Sequence, residues 1–128
     1  FVVLWSALSP VHAGHLSALE AAAQAITAKT RTPVIAGFLA PSVCEEERED
    51  APDAGSLPFA DRRHLCELAS AGSDWIEACP WGRGSSSKVV RKIQKRLQER
   101  FPRVNGTTWE FEGWQVLGTD AALVLPLK

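Results

Sequence analysis

The 128-residue chain has no methionine and only three cysteines. Without methionine, and with an apolar run starting at its first residue, it is expected to be part of a longer polypeptide or to have lost a leader. No signal peptide is visible, and targeting is not read from this N-terminus. Cys44, Cys66 and Cys79 show no paired spacing, which excludes a disulfide framework or a cysteine-rich metal site and points to a reducing, intracellular compartment. No apolar run reaches the length of a membrane span, so none is expected. An excess of one charge is missing too. Fourteen basic and fifteen acidic residues leave a formal net charge of -1, which argues against a dedicated nucleic-acid or membrane-surface protein. The expected partner is a small molecule or another protein.

What is present is apolar material in ordered blocks. At 45% hydrophobic residues, the chain has enough for one domain, residues 1–128, around its own core. Phe1 to Trp5 is a continuous apolar run, as in a strand covered on both faces of a parallel sheet. From Gly14 to about Lys29, Leu16, Leu19, Ala23 and Ile26 recur at helical spacing among alanines. Val34 to Leu39 reads as a second buried strand ending at Pro41, which completes a βαβ unit whose ligands gather at the strand C-termini.

Residues 44–58 differ in kind. Glu45-Glu46-Glu47-Arg48-Glu49-Asp50, followed by Pro52, Gly55 and Pro58, predicts an exposed acidic loop. A second helix is expected from about Asp61 to Ala71, with Leu65, Leu68 and Ala69 as its apolar face, and a third strand over Asp74 to Cys79. Gly82-Arg83-Gly84-Ser85-Ser86-Ser87-Lys88 lacks phosphate-loop spacing. Its serines instead cap a helix running to Phe101, with Val90, Ile93, Leu97 and Phe101 facing inward. Lys88, Arg91, Lys92, Lys95, Arg96 and Arg100 make the rest of that helix basic, read as a solvated face or a docking surface. Asn105-Gly106 is a turn, and Trp109 to Leu117 returns as strand. The sum is an α/β fold, a Rossmann-like parallel sheet with flanking helices, truncated after the fourth strand.

His12-Ala13-Gly14-His15 falls where the first strand gives way to the first helix. Both imidazoles and the free N–H groups of the helix start then converge on one place, which suits a phosphate. A solvated helix cap is the plainer reading. Two histidines without a third ligand nearby make a poor zinc site, so no metal ligands are assigned.

Ser6-Ala7-Leu8-Ser9-Pro10-Val11-His12-Ala13-Gly14-His15 resembles the Gly-x-Phe-x-Pro-x-His-x-Gly-His signature of the nucleotidyltransferase superfamily. Arg62-Arg63, then Glu67-Leu68-Ala69, Ser73-Asp74-Trp75-Ile76-Glu77, Pro80-Trp81 and Gly118-Thr119-Asp120 are similar, in order and spacing, to eukaryotic-type nicotinamide mononucleotide adenylyltransferases. The resemblance implies the reaction of ATP, carried with Mg²⁺, and nicotinamide mononucleotide to NAD and pyrophosphate. It gives His12 and His15 the reacting phosphates, and counts Ser6, Ser9 and Gly14 among the substrate-binding residues. Trp81 then stacks on the pyridine ring, and Gly118 and Asp120 hold a ribose. Without the resemblance, Trp81 is equally a rim tryptophan over the core, Asp120 a turn cap, and Trp75 core.

Departures from the family carry a second reading. Ser6 replaces the motif glycine and Leu8 the phenylalanine, and Glu45, Glu46 and Glu47 stand where the family has lysines. The chain ends eight residues beyond Asp120, before the family's Ile-Ser-Ser-Thr-x-x-Arg segment. The alternative is a catalytically inactive nucleotidyltransferase-fold scaffold or accessory subunit, with a protein partner covering the truncated sheet edge.

Overall fold

The structure, a computed structural model, describes residues 1–42, 57–81, 84–117 and 123–126. Strand β1 (Val2–Ser6) lies in the interior, hydrogen-bonded on both sides. It pairs in parallel with β2 (Gly37–Pro41), Val2 opposite Gly37 and Ser6 opposite Pro41. The third strand, β3 (Ile76–Ala78), extends the sheet beyond β2, and β6 (Trp114–Leu117) lies parallel on the other side of β1. The parallel sheet therefore runs β3-β2-β1-β6. Beyond it, β7 (Leu123–Pro126) pairs antiparallel with β6, Leu117 opposite Leu123. The side of β6 away from β1 is thus paired within the chain, and β7 becomes the outer strand of the sheet.

Alternation along β1 builds two cores. Val2 and Leu4 face the helices α1 (Ala13–Thr30) and α2 (Phe59–Ser70), packing with Leu19, Ala22, Ile26 and Cys66. Phe1 and Val3 face the opposite way, onto α3 (Ser86–Arg100), with Phe38, Val89, Val90 and Ile93. Such two-sided cover is what a continuous apolar strand requires. The chain advances through β1, β2 and β3 with α1 and α2 on one face, then crosses back along the other face through α3 to β6. The strand order thus reverses between β1 and β6, the place where open α/β sheets bind ligands at the strand C-termini.

The expected strands prove shorter at their N-terminal ends. Residues 34–36 precede β2, and 109–113 precede β6 without strand pairing. The second case has a visible cause in α3. Gln94 and Gln98 donate to the carbonyls of Phe111 and Trp109, each at 2.7 Å, so acceptors a neighbouring strand would use are already taken. The expected turn at Asn105-Gly106 closes a hairpin of β4 (Arg103–Val104) and β5 (Thr107–Thr108). Both turn residues have positive φ, +51° and +79°, as a tight hairpin demands.

Two helix faces differ from expectation. In α2 the inward residues are Arg62, Cys66 and Ser70, while Leu68 is 60% exposed. Ser70 tolerates burial because its Oγ donates to the Cys66 carbonyl at 2.8 Å. Burial pushes the Cys66 thiol up to about 11, which leaves it an inert packing residue. In α3, Val89, Val90 and Ile93 are buried and Leu97 packs beside them, but Phe101 lies outside, its ring beneath the Arg100 guanidinium at 5.8 Å. Trp75 packs on the α1/α2 side, over Gly37, where an added Cβ would lie 2.8 Å from the indole.

Gln115, on β6, is 4% exposed, and its Nε2 has no hydrogen-bond partner among the described residues. A buried donor without an acceptor costs about 1–3 kcal/mol. Gln115→Leu is therefore expected to raise stability by about 1 kcal/mol, read as a higher urea midpoint at unchanged slope; a lower midpoint would show that the amide is satisfied in solution.

Candidate functional site

One side chain ties the loop that leaves β1 to the residues after β2 and before α2. Arg62 is 3% exposed. Its Nη1 donates to the carbonyls of Ala7 at 2.7 Å and Ser42 at 2.8 Å, and its Nε to the carbonyl of Leu57 at 2.9 Å. These carbonyls follow β1, follow β2 and precede α2. The planar guanidinium, with fixed donors, can serve all three at once. Two further bonds close the same corner, Ser42 N–H to the Ser6 carbonyl at 2.7 Å and Leu57 N–H to Ser9 Oγ at 2.9 Å. Leu8 is buried at 1% exposure with φ of +48°, a left-handed conformation that costs a leucine about 1 kcal/mol or more. Its burial against the α1/α2 core offsets that cost.

The loop delivers His12 as the N-cap of α1. His12 has extended backbone angles, and its Nδ1 accepts from the N–H of Gly14 at 3.1 Å. His15 returns the bond: its Nδ1 accepts from the N–H of His12 at 3.0 Å. The result is a capping box built from two imidazoles. The rings stack with centroids 3.8 Å apart, 30° from parallel. Because each Nδ1 is an acceptor, each neutral ring carries its proton on Nε2. The pair therefore offers two Nε2–H donors at the positive end of an 18-residue helix with no acidic residue in its first turn.

Glycine at 14 is required by the stacking. A Cβ there would lie 2.9 Å from His12 Cε1 and 3.0 Å from its Nδ1. Gly14→Ala is expected to push the His12 ring off its cap bond, offsetting the usual gain in helix propensity. Imidazole NMR resonances should report a displaced His12; an unmoved ring would contradict the geometry.

Burial lowers the pKa of His15 below the ordinary 6.5, and repulsion from His12 lowers it further. The sign follows directly. A depressed histidine pKa stabilises the fold fully above pH 6.5, and that contribution is lost as pH falls toward the folded-state value. Protonation also removes the Nδ1 acceptor from the His12 N–H. An NMR titration should show His15 titrating below 6.5, with stability falling over the same range. A His15 midpoint above 6.5 contradicts the arrangement.

Of the residues assigned from sequence, Ser6, Ser9, Gly14, His12 and His15 are gathered on this one corner. Trp81 follows β3 and is half-buried on the α3-side core, across the sheet from α1. Gly118 and Asp120 lie outside the described residues, as do Cys44, the acidic run and the rest of the expected loop up to residue 56. Arg62 is the residue whose role here the sequence reading missed. Its signal is the i, i+4, i+8 row of Arg62, Cys66 and Ser70, a face too polar to count as apolar. Among the described residues no group of three or more His, Cys, Asp or Glu is placed to hold a metal ion, and no helix is long and apolar enough to cross a membrane.

The fold and the position of this corner define a Rossmann-like α/β protein with two imidazoles at the end of its first strand. No protein-family model matches the chain, and no curated protein matches it.

Proposed function

We propose that the chain is a nucleotidyltransferase-like protein whose His12–His15 corner binds the phosphates of ATP and promotes adenylyl transfer to nicotinamide mononucleotide. The observation that carries this reading is the reciprocal capping box, which directs both Nδ1 atoms to backbone and leaves two Nε2–H donors. The chemistry needs donors of that kind. A phosphate oxygen of the mononucleotide attacks the α-phosphorus of ATP, the bond to the bridging oxygen breaks, and pyrophosphate leaves. Charge grows on the phosphoryl oxygens during that exchange, and fixed donors there act mainly on the transition state.

In this reading His15 faces the α-phosphate and His12 the phosphates beside it. Mg²⁺ arrives as part of the ATP complex and neutralises phosphate charge. Ser6 and Ser9 belong to the loop wall, both tied into the Arg62 corner through their bonds to Ser42 and Leu57. Trp81 is assigned the pyridine ring, which suits a flat aromatic face opposite a cationic ring. Asp120, with Gly118, is assigned the ribose.

The test is formation of NAD and pyrophosphate from MgATP and nicotinamide mononucleotide by the purified chain, with calorimetry of MgATP binding alongside. Product formation supports the reading. Absence of both product and magnesium-dependent ATP binding would favour the scaffold reading, in which the fold is kept without the reaction.

A further inference from the structure

A cavity lies at the end of the sheet opposite the histidine corner, where the parallel strands begin. Its volume is about 570 Å³, within the range of small-molecule pockets, about 300–1,000 Å³. Its lining includes four aromatic residues, Phe1, Trp109, Phe111 and Trp114, and two acidic ones, Glu110 and Glu112. Trp109 is 38% exposed, while Phe111 and Trp114 are nearly buried, so the rings run from the mouth inward.

The polar character of the lining is one-sided. Gln94 and Gln98 also face the cavity, but each Nε2 is engaged with a backbone carbonyl, at 2.7 Å in both cases. What those amides still offer a guest is an acceptor oxygen. Among the described residues of the lining there is no lysine, arginine or histidine side chain. The Phe1 nitrogen on that wall donates to the Glu112 carbonyl at 2.8 Å. Aromatic faces and carboxylates together attract cations, and desolvated aromatic contacts strengthen the attraction.

We propose that this cavity is a binding site for an aliphatic organic ammonium ion, held by the faces of Trp109 and Trp114 and by the carboxylates of Glu110 and Glu112. The site is separate from the histidine corner, so it stands or falls independently of the nucleotidyl-transfer reading.

The test titrates the chain with n-hexylammonium and, separately, with n-hexanol, its uncharged counterpart, following tryptophan emission and heat. The ammonium should saturate the signal and bind about tenfold or more tightly than the alcohol, the size of a partly desolvated cation–π and carboxylate contribution. Added salt should weaken the ammonium on the unaltered protein. Glu110→Gln combined with Glu112→Gln should erase most of the difference between the probes, and Trp109→Ala should weaken the ammonium severalfold; all three positions are exposed, so the fold should survive. Equal binding of the two probes, no saturable binding, or ammonium affinity indifferent to salt would overturn the proposal.

Discussion

Replacing His15 with alanine is expected to slow pyrophosphate release by about a hundred- to a thousandfold, the loss typical when one fixed donor to a developing oxyanion is removed. Alanine also takes away the acceptor of the His12 N–H, at 3.0 Å in the native helix cap, so about 1 kcal/mol of stability should go with it. The two effects can be separated. His15→Gln keeps an acceptor at the third helical position, where glutamine completes a capping box, yet has no imidazole. Stability should therefore return in the glutamine variant while turnover stays low. Recovery of turnover in His15→Gln would mean that the cap, not the ring, is what the reaction needs.

Arg62→Met carries the largest expected effect on stability. Methionine fills much of the arginine stem's volume but offers nothing to the carbonyls of Ala7, Ser42 and Leu57, all within 2.9 Å of the guanidinium. Buried acceptors stripped of a charged donor cost about 1–3 kcal/mol apiece, and broken buried charge networks about 3–5 kcal/mol in all. A loss of about 3 kcal/mol or more should appear as a lower urea midpoint. Arg96→Met, on the exposed side of α3, should stay within about 0.5 kcal/mol of the native protein. Equal effects at the two positions would show that the β1 loop is held by something else. Because Arg62 ties down the loop that carries His12, any surviving Arg62→Met protein should also turn over more slowly.

Much of the frame follows from local patterns. The apolar run at the start of the chain gave β1 because a strand with helices on both faces has no polar side to show, and Val2, Val3 and Leu4 are all buried. Asn105-Gly106 gave its hairpin because both positions need positive φ. His12 and Gly14 gave the helix start because a side-chain acceptor followed by a small residue is what a crowded N-terminus requires.

The parts that escaped depend on distant chain. Periodicity places leucines inward, so it put Leu65 and Leu68 in the core of α2; Leu65 is half-buried but Leu68 is exposed, because the most buried row is that of Arg62, whose guanidinium finds the carbonyls of Ala7, Ser42 and Leu57. Trp109 to Phe111 looks like strand until Gln94 and Gln98 of α3 claim its carbonyls. The antiparallel β7 was hidden for a similar reason, since its pairing is decided by the free edge of β6 and not by its own residues.

The central claim is that two stacked imidazoles present Nε2–H groups to phosphate. Long-range proton–nitrogen spectra of the histidine rings, recorded at pH 7.5 before and after MgATP, test it most directly. The account predicts Nε2–H tautomers for both His12 and His15, with Nδ1 bonded as an acceptor, and a shift of both Nε2 resonances when MgATP is added. Protons found on Nδ1, or rings that do not respond to MgATP, would contradict it.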